Sequence, residues 1–177
     1  MPAADRVGES RSPRRAARGG TLALPMPDPV SELAHDHADI HRRVVAVGGA
    51  LRALEAAGDQ GSARALAGQL RELRELLFLH FAREEEGLFP FVTDAVPDLV
   101  DAVNAMALAH DAICGGLARM VHLAAADGTV AAIAPVFARF ETTYAHHARA
   151  EVSLLDALRS RLDAAQRAQL AALVAGL

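Results

Sequence analysis

The chain has 177 residues, 52% of them hydrophobic but only 4% aromatic, with no tryptophan and a net charge of −4. That length suits one domain with a sizeable core, and an apolar content dominated by alanine and leucine favours an all-α fold over a sheet. Residues 1–27 carry Arg6, Arg11, Arg14, Arg15 and Arg18 against Asp5 and Glu9, so the remainder is at about −7, a sign that argues against nucleic-acid binding.

Taken in order, residues 1–27 are rich in Arg, Pro, Gly and Ser and show no periodicity. They read as a solvated, disordered arm without the apolar stretch of a secretory signal. Folding is expected from 28 to 177. Asp28 caps a first helix over 29–57, with Pro29 at its first position, and Gly58-Asp59-Gln60-Gly61 ends it. Ser62 opens a second helix that runs to Phe89 and stops against Pro90. A third helix starts at Pro97 and continues to Ala126. After the turn Asp127-Gly128-Thr129, a fourth reaches about Ser160, with Pro135 kinking it or marking its true first turn. Asp163-Ala164-Ala165-Gln166 is a capping box that opens a short fifth helix. Short connections between long helices predict an up-down-up-down antiparallel four-helix bundle. No charge-free run of about 18 apolar residues exists to span a membrane, and the lone Cys114 suits a reducing compartment. A cytoplasmic protein is expected.

Each long helix has an apolar stripe at steps of three and four residues. Histidine interrupts every one of them: His37 between Leu33 and Ile40, His80 after Leu77, His110 between Met106 and Ile113, and His147 after Tyr144. Glu84 and Glu151 fall in the stripes one turn after His80 and His147. A buried carboxylate without a partner costs several kcal/mol, so these residues need a cation or must face out. Neighbouring histidines lie at nearly equal sequence distances from the turns that separate their helices. In antiparallel helices, at about 1.5 Å rise per residue, that puts all four within roughly 3 Å of one level, with the two glutamates sharing the next. The halves also repeat: His37-Ala38-Asp39-Ile40 answers His110-Asp111-Ala112-Ile113, and His80, Glu84 and Leu88 answer His147, Glu151 and Leu155. Two metals with their own histidines and bridging glutamates follow from such a duplication. Mixed imidazole and carboxylate ligation suits iron, with manganese or zinc as competitors.

The run His80-Phe81-Ala82-Arg83-Glu84-Glu85-Glu86-Gly87-Leu88-Phe89-Pro90 resembles the HFxxEExxLFP motif of the hemerythrin-like (HHE cation-binding) family. The HxxI pairs and the second HxxxE at His147–Glu151 fall in the order that family uses, over about 28–160. The resemblance implies a non-haem pair of iron ions, oxo- or hydroxo-bridged, held by His37, His80, Glu84, His110, His147 and Glu151. It also implies a dioxygen, nitric oxide or peroxide ligand. The HxxxE order differs from the Glu-x-x-His of ferritin-like sites.

The oxygen-carrying hemerythrins have a further histidine where this chain has Cys114. His41, one turn after His37, holds the pseudo-symmetric place and is a candidate seventh ligand, as is Tyr144, one turn before His147. Glu85 and Glu86 point away from Glu84 on a regular helix and read as a solvated face; His35, His146 and His122 lie off their stripes. Three functions fit: a carrier or sensor of small oxidants, an enzyme acting on peroxide or ferrous iron, and a regulatory bundle with a structural metal.

Overall fold

In the computed structural model the backbone is described over residues 29–58, 63–126 and 128–175, and side chains from Asp36 onward. The expected arm over 1–27, the Asp28 and Ser62 caps, Asp127 and the His35 side chain lie outside the described residues. The described chain is all-α. Helix α1 spans Pro29–Ala56, α2 Ala67–Arg83, α3 Phe89–Ala95, α4 Val100–Ala125, α5 Val130–Arg161 and α6 Ala164–Ala175.

Local chemistry sets the helix ends. Gly58, at φ +68°, donates to the Glu55 carbonyl at 3.1 Å, a left-handed stop beyond the last turn of α1. The Thr129 hydroxyl accepts from the Ala132 N–H at 3.2 Å and opens α5, so Pro135 lies inside that helix and not at its first turn. Asp163 and Gln166 exchange the two bonds of a capping box, at 3.0 and 2.8 Å, ahead of α6. Where α4 ends and α5 begins, Ala63 donates to the Gly128 carbonyl at 2.9 Å and ties two connections together.

The expected stop of the second helix at Pro90 is corrected. Over Glu84–Leu88 the backbone widens into a π-turn, in which the Phe89 N–H donates to the Glu84 carbonyl five residues back. Helix α3 continues from there with Pro90 in its first turn. Proline has no N–H and crowds the carbonyl four residues behind it; the wider turn before it accommodates both problems. The rod ends instead at Val96, which leaves the helical region (φ −139°, ψ 67°) ahead of Pro97, and Pro97–Leu99 forms a 3-10 turn leading into α4.

Helices α1 and α4 each pack against α2 and α5, which makes a four-helix bundle, and α6 closes over the π-turn and α1. Two apolar cores result. One is built on Ile40, Val44, Leu70, Leu77, Ile113, Leu117 and Phe140. The other is built on Leu88, Phe91, Val92, Met106, Leu154, Leu158 and Leu170. Burial of each such side chain stabilises by about 1.5–3 kcal/mol. A polar layer separates the two cores. No described helix is long and apolar enough to cross a membrane.

Candidate metal centre

The polar layer consists of the residues at which the stripes change character. His80 and Glu84 continue the face of Leu73 and Leu77, while His147 and Glu151 lie between Tyr144 and Leu154 on α5. His80, His110 and His147 are 2% exposed, Glu84 and Glu151 fully buried, and the His37 side chain 14% exposed. The structure therefore brings together all six residues expected from the sequence.

Two imidazole pairs face each other across the seam. His37 and His80 have ring centroids 4.8 Å apart and Nε2 atoms 3.1 Å apart, and the His110 and His147 centroids are 4.7 Å apart. Glu151 Oε2 contacts His37 Nε2 and lies 3.6 Å from His80 Nε2 and 3.5 Å from His147 Nε2. Glu84 Oε2 lies 3.0 Å from His110 Nε2 and 3.7 Å from His80 Nε2. Each carboxylate thus reaches both pairs. One donor atom from each of His80, Glu84, His147 and Glu151 lies within 4.8 Å of the other three.

Electrostatics separates the two carboxylates. Burial, then the charge of Glu151, pushes Glu84 well above the ordinary carboxylate range. Burial acts the same way on Glu151, but the imidazole nitrogens of His147, His37 and His80 outweigh it and hold that group low. Burial, then the neighbouring His147 and His80, lowers His110 to about 3, so its ring is neutral near pH 7 and offers a lone pair.

Both oxygens of Glu84 and of Glu151, both nitrogens of His147, His110 Nε2 and His80 Nδ1 are buried with no well-aligned hydrogen bond, meeting only the close imidazole–carboxylate approaches within the layer itself. Leaving one such atom unpaired costs about 1–3 kcal/mol, and apolar cores do not gather several by chance. Neutral imidazoles around two convergent carboxylates form a donor set that fits divalent or trivalent metal ions. The sequence model of the hemerythrin HHE cation binding domain matches residues 28–158. The chain belongs to this family. No curated protein and no solved structure matches it.

Outside the six residues, this HHE domain shows partners that sequence spacing missed. Glu85, expected on a solvated face, is half exposed but accepts a 2.7 Å hydrogen bond from His110 Nδ1. Asp36 Oδ2 lies 4.0 Å from His80 Nδ1 and accepts from Arg83 at 2.8 Å. Phe81 and Phe89 stack against the His110 ring at centroid distances of 3.7 and 5.4 Å. The phenylalanines were legible as apolar motif positions; the acidic partners carried no distinguishing signal. Glu86, His122 and His146 are exposed as expected.

The candidates for a seventh ligand fare differently. His41 is exposed on α1, so the reading that turned it toward the centre is corrected. Tyr144 is buried and stacks on Phe140 at 6.2 Å, and burial, then Glu151, pushes its phenol up to about 12. Cys114 is partly buried against the first core, and burial, then Glu85 and Asp111, raises its thiol to about 11. At neutral pH neither is the anion that binds a metal readily.

Proposed function

We propose that this HHE domain holds two iron ions, with manganese or zinc as competing occupants, and that the centre binds, senses or reacts with dioxygen, nitric oxide or peroxide. The observation that carries the reading is the set of buried, unpartnered carboxylate and imidazole atoms between two histidine pairs. In this arrangement His37 and His80 would hold one ion, His110 and His147 the other, and Glu84 and Glu151 would bridge them. A ferrous pair supplies electrons to a small oxidant. The chain's own part is to keep the imidazoles neutral, to offset cationic charge with two carboxylates, and to exclude water with Phe81 and Phe89. With His41 turned outward, His37 is the one ligand that the described side chains of α1 offer, which leaves room for a small exogenous ligand.

Anaerobic reconstitution with ferrous iron should give about two ions per chain, and exposure to air should then produce oxo-to-iron charge-transfer absorption in the near ultraviolet. Fewer than two ions, or no such band, would overturn the reading. The same open position favours a catalytic variant, turnover of peroxide or oxidation of ferrous iron. Steady-state peroxide consumption that is lost in His80→Ala would support it, whereas stoichiometric reaction alone would leave the sensor or carrier role.

A further inference from the structure

We propose that Glu85 makes the two metal positions unequal, so that the His110–His147 position takes its ion first and more tightly. The proposal rests on the two-ion reading above. It starts from the internal repeat. Matching His80 and Glu84 to His147 and Glu151 puts Val152 in the place of Glu85, and matching His37 to His110 puts Ala109 in the place of Asp36. The two halves agree at the inward-facing residues and differ at the residues behind them.

That difference has a structural consequence. Glu85 accepts directly from His110 Nδ1 at 2.7 Å. The bond fixes the tautomer that turns the Nε2 lone pair to the centre, and it makes that nitrogen a stronger donor. Val152, half exposed and apolar, has no carboxylate to offer His37. Behind His80, Asp36 is 4.0 Å away, beyond hydrogen-bond reach, and is already engaged by Arg83 at 2.8 Å.

Shielding points the same way. His110 is 2% exposed under Phe81 and Phe89, whereas the His37 side chain is 14% exposed. Clefts border both sides, one of about 60 Å³ lined by Asp36, Asp39, His80 and Arg83 and one of about 850 Å³ lined by Glu85, Phe89 and Asp111, so the difference in cover rests on the exposure of the imidazoles themselves. One position is clad and reinforced; the other is nearer to solvent and, among the described residues, lacks a direct outer carboxylate. Glu85 acts here as a positioning residue, through His110, and loading proceeds in two separable steps.

The test is an anaerobic titration of the full metal-free chain with Co²⁺, read by its visible absorption and by competition with a chelator. The wild type is expected to take two ions in steps at least about tenfold apart, with the tighter step kept in His37→Ala and lost in His110→Ala. Glu85→Ala should weaken the tighter step by about 10–100-fold and bring the two together. Glu85→Gln, whose amide oxygen still accepts from Nδ1–H, should stay within a few-fold of wild type. Metal-free melting temperatures of both Glu85 variants should match wild type, since Glu85 is half exposed. A tighter step that survives in Glu85→Ala or His110→Ala, or a Glu85→Gln variant as weak as Glu85→Ala, overturns the proposal. A wild type that takes fewer than two ions overturns the two-ion reading, and the proposal with it.

Discussion

Glu84 and Glu151 are the residues whose burial makes least sense without a cation, and they give the most direct test at the residue scale. Glu84→Gln and Glu151→Gln keep the shape of the side chain and remove the charge. Each is expected to abolish binding of the ion pair, read as metal content per chain. Glu84→Gln should not lower the melting temperature of the metal-free form, because burial and the charge of Glu151 already disfavour its carboxylate and the amide removes that cost. Glu151→Gln should lower it at neutral pH, because His147, His37 and His80 stabilise that carboxylate in the folded state. A metal-free form that loses stability on the Glu84 substitution would show that this carboxylate serves the fold and not a cation.

Cys114 gives a second test at this scale. With its thiol raised from 9.0 to about 11, the neutral form dominates through pH 9, and only the thiolate alkylates. Iodoacetamide labelling of the folded chain should rise about tenfold per pH unit up to about pH 11. Labelling of the chain in denaturant should level off about two units lower.

Why six of the residues singled out in the sequence converge in the structure while His41 turns outward is also a matter of angles. On α1 the buried positions Ile40, Val44, Val47 and Leu51 define a face, and at about 100° per residue His37 falls near its edge and His41 well outside. The histidine heights needed only the turns and the rise per residue. Glu85 was not legible because its direction depends on a widened turn that a regular helical wheel does not contain.

Among the elements, that π-turn is the one with most at stake. It lets the rod pass Pro90 and bury Phe89, Phe91 and Val92, a continuation that the proline hid in the sequence. Deleting Glu86, which is exposed, would turn the five-residue hydrogen bond into a four-residue one and rotate α3 by about 100°. Phe89 would leave the His110 ring and the second core would lose its α3 side chains. Since truncating a single buried phenylalanine costs about 3–5 kcal/mol, the deletion variant should show a large fall in melting temperature and in metal content. A variant that keeps both would mean that the turn is only a passive way around Pro90.

Two glycine pairs, Gly48-Gly49 in α1 and Gly115-Gly116 in α4, differ at the same scale. A Cβ at Gly48 would meet the Phe137 ring at 3.0 Å, and one at Gly116 would meet Phe140 Cβ at an ordinary 3.6 Å. Gly116→Ala should therefore stabilise by about 0.5–1 kcal/mol through helix propensity. Gly48→Ala should lose that gain to crowding against a buried ring. Denaturant midpoints of the two variants, measured side by side, check the order.

At the scale of the whole molecule, the proposed centre lies between two cores and is contributed by α1, α2 with its π-turn, α4 and α5. The general bundle was readable from periodicity and loop spacing. Its division into two apolar blocks was not, because that depends on which stripe positions pack across the polar layer. The division makes a prediction about metal removal. Without cations, the layer holds two buried carboxylates and several unpaired imidazole atoms, so the contact between the blocks is the weakest plane in the fold. The block built on Leu70, Leu77, Ile113 and Leu117 is closed by its own packing. The block of α3, α6, the first turns of α4 and the far end of α5 borders the layer and includes two short helices, α3 of 7 residues and α6 of 12. An ion present at a hundred times its dissociation constant stabilises the state that binds it by about 2.7 kcal/mol, which for a domain of this size is a rise of roughly 5–10 °C in melting temperature. Removal of metal should reverse that rise. It should also speed amide hydrogen exchange in α3 and α6 well before the middle of α4 and the first half of α5. Uniform acceleration across all helices would indicate that the two blocks unfold as one unit. An unchanged melting temperature would count against the third function expected from the sequence, a metal that serves only to hold the bundle, and would leave the ion pair its chemistry alone.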